Sequence, residues 1–205
     1  MSTTNEVAAE RPGSAAQRDR RRRILDATVA LASSGGFDAV QMRTVAEHAD
    51  VALGTLYRYF PSKIHLLVGA LARELERANE SFRRRTVPGD TPPDRVMYVL
   101  SRMTRALQKD PHLTEALTRA FMFADATAAE EISVVADHVS TMLTLGMQDP
   151  RAAGGPREPS DEERAVIKVI GDVWLASLVQ WVTGRASADD VSRSLDVAVR
   201  LLLRG

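Results

Sequence analysis

The segment 52–63, ALGTLYRYFPSK, concentrates the groups most able to do chemistry with a partner. Gly54 and Thr55 open a short helical stretch that Tyr57, Arg58 and Tyr59 fill with phosphate- and base-reaching tips. Leu56 and Phe60 lie four apart, the spacing of two side chains buried on one helix face. Pro61 and Ser62 stop the stretch and cap the next helix, and Lys63 adds a cation there. Such a helix fits DNA contact. Gly54 lets backbone approach the duplex, and Thr55 can meet a phosphate or a thymine methyl. Tyr57 and Tyr59 can donate to phosphates, which positions without reading sequence. Arg58 and Arg43 are the side chains most able to read guanine. Leu53 and Thr44 complete the expected contact set.

This reading needs a frame. A short helix from Met42 to Ala49, a tight turn at Asp50 and a helix over Leu53–Phe60 make a helix-turn-helix, whose second helix enters the major groove. A longer helix from about Gln17 to Ser34, ended by Gly35 and Gly36, packs behind them through Ile24, Leu25, Thr28 and Leu31. Residues 1–16 read as a disordered tail, 17–63 as the head and 64–205 as the body.

The body reads as helices throughout, giving an all-α chain of about nine. A stripe at Ile64, Leu67, Val68, Leu71, Leu75, Ala78 and Phe82 predicts one long helix from Ser62. At about 24 residues it spans roughly 36 Å. Pro92 and Pro111 open the next two helices at their first positions. Thr127 with Glu130 and Ser160 with Glu163 read as capping boxes. Residues 149–159, DPRAAGGPREP, read as a mobile linker. The last two helices, in 160–203, carry apolar residues on more than one face, which predicts a second neighbour and a homodimer interface.

Composition narrows the class. The 205 residues carry 27 Lys or Arg and 27 Asp or Glu, and no cysteine. Thiolate metal sites and disulfides are therefore excluded. The neutral total hides a basic head: residues 18–63 hold eight Lys or Arg against five Asp or Glu, leaving the remainder at −3. A locally basic module on an acidic body fits nucleic-acid binding. No apolar run approaches the ~18 residues of a membrane span, and no signal peptide opens the chain, so a cytoplasmic location is expected. The four histidines lack metal-ligand spacing and no catalytic motif is present, so neither an enzyme nor a cofactor is expected.

The stretch VQMRTVAEHADVALGTLYRYFPSKIHLL resembles the head of TetR-type one-component repressors. The resemblance implies an all-helical homodimer that holds a palindromic operator in double-stranded DNA and answers a small effector in its body. Gln41 and Ala52 depart from it, standing where Ser or Thr caps are usual, and Asp50 replaces the usual turn glycine. LTEALTRAFMFADATAA and DVWLASLVQWVTGRASADDVSRSLDVAVRLL look like a narrower subgroup, the KstR-type repressors of cholesterol and steroid catabolism in actinobacteria. That likeness implies release by a steroid acid or steroid acyl-CoA. The expected pocket lining is Met97, Leu100, Met103, Leu117, Phe121, Met122, Trp174 and Leu178. Periodicity alone leaves these residues equally readable as ordinary core, and the chain as a ligand-independent DNA binder.

Overall fold

The computed structural model describes residues 12–148 and 157–204. Among them nine α-helices and one 3-10 turn occur, with no strand. Three short or interrupted helices come first: α1 (Pro12–Ala39), α2 (Met42–His48) and α3 (Leu53–Tyr59). The long α4 (Lys63–Arg83) leads into α5 (Pro92–Gln108), α6 (Pro111–Met122), α7 (Ala129–Met147), α8 (Asp161–Val182) and α9 (Ala188–Leu202).

Helix α1 starts five residues earlier than the expected Gln17, so residues 12–16 are helical rather than tail. The rest of the expected tail, residues 1–11, lies outside the described residues. The helix is interrupted at Gly36, whose φ of 69° favours glycine. A Cβ there would also stand 2.8 Å from Glu115 Oε2 of α6. Asp50, with φ 51°, takes the left-handed position of the turn between α2 and α3. The Arg23 guanidinium on α1 donates to the carbonyls of Ala49 and Asp50, bracing that turn.

Ile24, Leu25, Val45, Leu56, Leu66 and Leu67 are all fully buried, which locks α1, α2, α3 and α4 around one core. Each such side chain contributes about 1.5–3 kcal/mol, so Leu56 holds α3 in place although that helix has only seven residues. Farther along, α4 packs on α6 and α7, α5 on α7 and α9, and α8 on α9. Arg95 of α5 is buried and donates to the Gly146 and Met147 carbonyls at the end of α7 and to those of Gly89 and Asp90. At Gly146 and Met147 it satisfies orphan carbonyls of the last turn of α7.

Ser62, Thr91, Asp110, Ser160 and Ser187 each cap the helix that follows them. The expected box at Thr127 is absent. Asp125 takes both the N–H and the hydroxyl of Thr127, which folds Ala126–Ala128 into the 3-10 turn and leaves α7 without a side-chain cap. Of the expected linker, 149–156 lies outside the described residues. Its remaining end is anchored, because the Gln148 amide donates to the Arg157 carbonyl and Arg157 Nη1 lies 2.7 Å from Glu163 Oε2.

The Arg157 guanidinium, then the Ser160 backbone N–H, lower the Glu163 pKa from 4.5 to about 2. A depressed carboxylate stabilises the fold fully above its unfolded value, and that contribution is lost as pH falls through the folded one. We therefore expect the melting-temperature gap between wild type and Glu163→Gln to be constant above about pH 5 and to close between 4.5 and about 2. A gap independent of pH over that window contradicts the assignment.

By length and composition α8 is long and apolar enough to cross a membrane, contrary to the expectation that no run approaches that length. Only about 28% of its apolar window is buried. Ile167, Ile170, Trp174 and Leu178 face the core, Val169 is exposed, and Lys168 pairs with Asp172 at 2.6 Å in mid-helix. Two apolar faces divided by an ion pair describe a helix with two protein neighbours.

Candidate nucleic-acid interface and effector cavity

Seven residues of α3 place their side chains by simple helix geometry. Leu56 points inward, with Phe60 buried beneath the helix end. Leu53, Gly54, Tyr57 and Arg58 are therefore turned outward and exposed, while Thr55 and Tyr59 flank them half-buried. Leu53 and Tyr57 are large exposed hydrophobic groups, 40% and 46% accessible, one turn apart on a convex helix. Nothing lies within 4 Å of a Cβ built on Gly54, so this stretch of backbone stands open to an approaching surface. On α2, Arg43 is exposed and pairs with Glu47 at 3.2 Å, and Thr44 is half-buried with its carbonyl 2.9 Å from His48 Nδ1.

Lys63 departs from its expected role. Its Nζ lies 3.9 Å from the centre of the Phe37 ring. Burial there pushes its pKa below the ordinary lysine value. The ammonium is thus directed into the seam between the head and α6 rather than outward beside α3.

Neither Gln41 nor Ala52 supplies a side-chain cap to α2 or α3. A Ser or Thr at such a position is worth about 1 kcal/mol. The amides of residues 53–56 are expected to exchange fast in free protein and to gain protection on operator DNA, and Ala52→Ser should slow their exchange in the free state. Equal protection with and without operator would sink this prediction.

Below the head, a cavity of about 500 Å³ lies between α4, α5, α6, α7 and α8. That volume falls within the ~300–1,000 Å³ range of small-molecule sites. Met103, Leu117, Phe121, Trp174 and Leu178 stand on its wall. Three other expected residues do not. Leu100 is fully buried one turn from Met103, packed in core rather than facing the void. Met97 projects to a different side of α5 and packs against the core rim. Met122, one residue past Phe121, is turned outward and 52% exposed. Trp174 is fixed by its indole N–H, which donates to Thr104 Oγ1 at 3.0 Å.

Sequence reasoning missed the share of the long helix: Leu71, Leu75 and Ala78 of α4 line the same void, opposite Val135 and Val139 of α7. Their spacing marked them only as a buried stripe. It also found no basic cluster, and the wall bears none: beside Glu74, Asp110, Asp137 and Asp172 stand only two cations of α8, Arg164 and Lys168. Each has an aspartate partner, Asp161 at 2.9 Å and Asp172 at 2.6 Å. Among the described residues no group of His, Asp or Glu could hold a metal.

Helix α6 joins the two regions. Leu113, Leu117 and Phe121 face the cavity. From the same helix Glu115 Oε2 accepts the Phe37 backbone N–H at 2.8 Å. Arg119 stacks 4.4 Å from the Phe37 ring centre, so that ring is flanked by two cations, Arg119 and Lys63.

Comparison with known proteins supplies the context. Residues 24–70 match the model described as bacterial regulatory proteins, tetR family, and residues 89–202 match the tetracyclin repressor-like C-terminal domain. The chain is 54% identical over 191 residues, 93% of its length and 90% of the relative's, to the HTH-type transcriptional repressor KstR of Mycolicibacterium smegmatis (strain ATCC 700084 / mc(2)155). Its fold matches that of a TetR transcriptional regulator from Rhodococcus sp. RHA1 with a TM-score of 0.82 at 30% identity, covering 92% of this chain and 97% of that one. The FadR repressor of Thermus thermophilus, solved in complex with lauroyl-CoA, shares the fold at a TM-score of 0.64 and 21% identity, over 90% of this chain and 94% of that one.

Proposed function

Since the chain belongs to the TetR family of bacterial regulatory proteins, and within it to the KstR-type repressors, we propose that its cavity takes a steroid acid or a steroid acyl-CoA and that occupancy releases it from a palindromic operator. The protein is a ligand-responsive DNA-binding transcriptional repressor of steroid catabolism and acts as a homodimer; it is not an enzyme. Its place of action is DNA in the bacterial cytoplasm, and the operator-bound form is held at the nucleoid.

The observation that carries the effector assignment is the apolar void walled by Leu71, Leu75, Leu117, Phe121 and Trp174. A rigid polycyclic skeleton buries apolar area there at little cost in its own conformational freedom. An acid or thioester-borne phosphates reach the wall's two cations, Arg164 and Lys168, only by taking them from Asp161 and Asp172. The Thermus FadR complex, a lauroyl-CoA bound in a related fold, supports the acyl-CoA form.

Homodimer contact falls to α8 and α9 within residues 160–203, where Val169, Val197, Leu201 and Leu202 remain exposed in one subunit. Two copies pairing through these faces bury them isologously. The paired heads then read half-sites about 34–36 Å apart. Effector between α4 and α6 favours a head separation that no longer fits, and it does so only to the extent that it binds that state better.

The test is footprinting on promoter DNA flanking the gene, with and without a 3-oxo-cholestenoic acid and its CoA thioester, alongside tryptophan fluorescence. Release of a bound palindrome with a matching change in the emission of Trp174 and Trp181, the former on the cavity wall, is expected. Undiminished operator binding at saturating effector overturns the release mechanism. Flat fluorescence across steroid acids, acyl-CoAs and other hydrophobic acids returns the reading to a ligand-independent DNA binder.

A further inference from the structure

The arginine run of α1 is divided among unlike tasks. Arg22 pairs with Asp19 and Asp26, and Arg23 braces the turn at Ala49 and Asp50 and pairs with Asp19. Arg21 stacks 5.5 Å from the centre of the Phe60 ring. Among the described residues Arg20 has no such engagement. It lines a cleft of about 270 Å³ with Gln17, Arg58 and Tyr59, where the N-terminal part of α1 meets the end of α3. Among the described residues the acids on this part of α1 are already used: Asp19 is held by Arg22 and Arg23, and Asp26 by Arg22, Arg73 and Arg77.

Arg20 and Arg58 thus line one small cleft with no acidic partner for either among the described residues. Two like charges in one cleft repel, and an anion between them removes that repulsion. Guanidinium groups match phosphate oxygens with paired, planar N–H donors. The Tyr59 phenol and the Gln17 amide add neutral donors to the same cleft. Leu53, Gly54 and Tyr57 occupy the adjoining exposed face of α3, so an anion seated here belongs to the strand beside the groove that α3 enters.

We propose that the cleft of Gln17, Arg20, Arg58 and Tyr59 is a seat for one backbone phosphodiester of duplex DNA, and that Arg58 is consequently a phosphate ligand rather than a reader of guanine. Helix α1 becomes a second point of attachment outside the helix-turn-helix. The proposal rests on the DNA-binding reading and makes its contribution independent of sequence.

The experiment measures dissociation constants of the full-length protein for the footprinted operator and for a shuffled duplex of equal length, across a potassium chloride series. Arg20→Ala and Arg58→Ala are compared with wild type and with Arg22→Ala, whose guanidinium is internally paired, and circular dichroism verifies that each variant is folded. Both cleft variants are expected to weaken the two duplexes by the same factor, roughly five- to tenfold, and to flatten the log–log salt slope by about one. The double variant should lose less than the product of the single losses, because both side chains meet one phosphate. A loss confined to the operator, with specificity relaxed at one base pair, makes Arg58 a base reader and overturns the proposal. Salt slopes parallel to wild type overturn it as well. A third arm titrates inorganic phosphate at fixed ionic strength: saturable binding that Arg20→Ala abolishes, with DNA affinity unchanged, assigns the cleft to a free anion and overturns it. If wild type itself binds neither duplex, the DNA-binding reading fails; wild-type binding with unmoved slopes fails the clamp alone.

Discussion

Gly171→Leu is expected to give a repressor that binds its operator as wild type does, within about twofold, but no longer answers its effector. Gly171 lies on the cavity wall in the middle of α8, and the nearest atom a Cβ would meet is Val139 Cγ1 at 3.9 Å. There is space for the first carbon without strain, and the next three project into the void that the effector needs. Overfilling a matched site costs about 1–3 kcal/mol, which converts to roughly 5- to 150-fold weaker effector binding. The fold should not suffer, because leaving glycine in a helix interior gains about 1 kcal/mol of helix propensity. Fluorescence titration measures the effector affinity, and operator anisotropy measures the DNA affinity. A variant that releases DNA at the wild-type effector concentration shows that the ligand sits elsewhere.

The mirror-image result is expected at the other end of the molecule. Gly54→Leu should fold as well as wild type and lose operator binding by about a hundredfold. Open space surrounds the position in the free protein, so the new side chain meets nothing there. On DNA it stands between the helix backbone and the groove. Lifting α3 by the depth of a leucine breaks several contacts, each worth about 1–3 kcal/mol, and two such losses account for the hundredfold. Retained operator affinity in a folded Gly54→Leu protein removes α3 from the groove.

How far the sequence carried these conclusions differs from element to element. Helices and their starts were legible because caps act locally: Ser62, Ser160 and Asp110 each bind an N–H three residues away. Thr127 misled for the same reason, since Asp125, two residues upstream, competes for its donors and wins. The outward face of α3 was legible because one buried side chain, Leu56, fixes a seven-residue helix in rotation. The cavity was not. Periodicity says that Leu100 and Met103 both point inward, but whether atoms fill the opposite side depends on other helices, and only Met103 faces the void. The direction of Lys63 was hidden likewise, because the ring it meets lies at Phe37, across a turn and two helices.

One helix that both walls the cavity and grips the head has a consequence for timing in the cell. By linkage, whatever factor the effector takes from operator affinity, the operator must take from effector affinity, and α6 is the element placed to carry that coupling. A promoter-bound repressor is therefore the poorest effector sensor in the population, and the unattached pool is the best. A rising effector is absorbed first by free dimers. Where that factor is large, occupied promoters open as their repressors dissociate and are captured before they can return, so the onset of transcription then follows the operator off-rate and the number of spare repressors ahead of it in the queue.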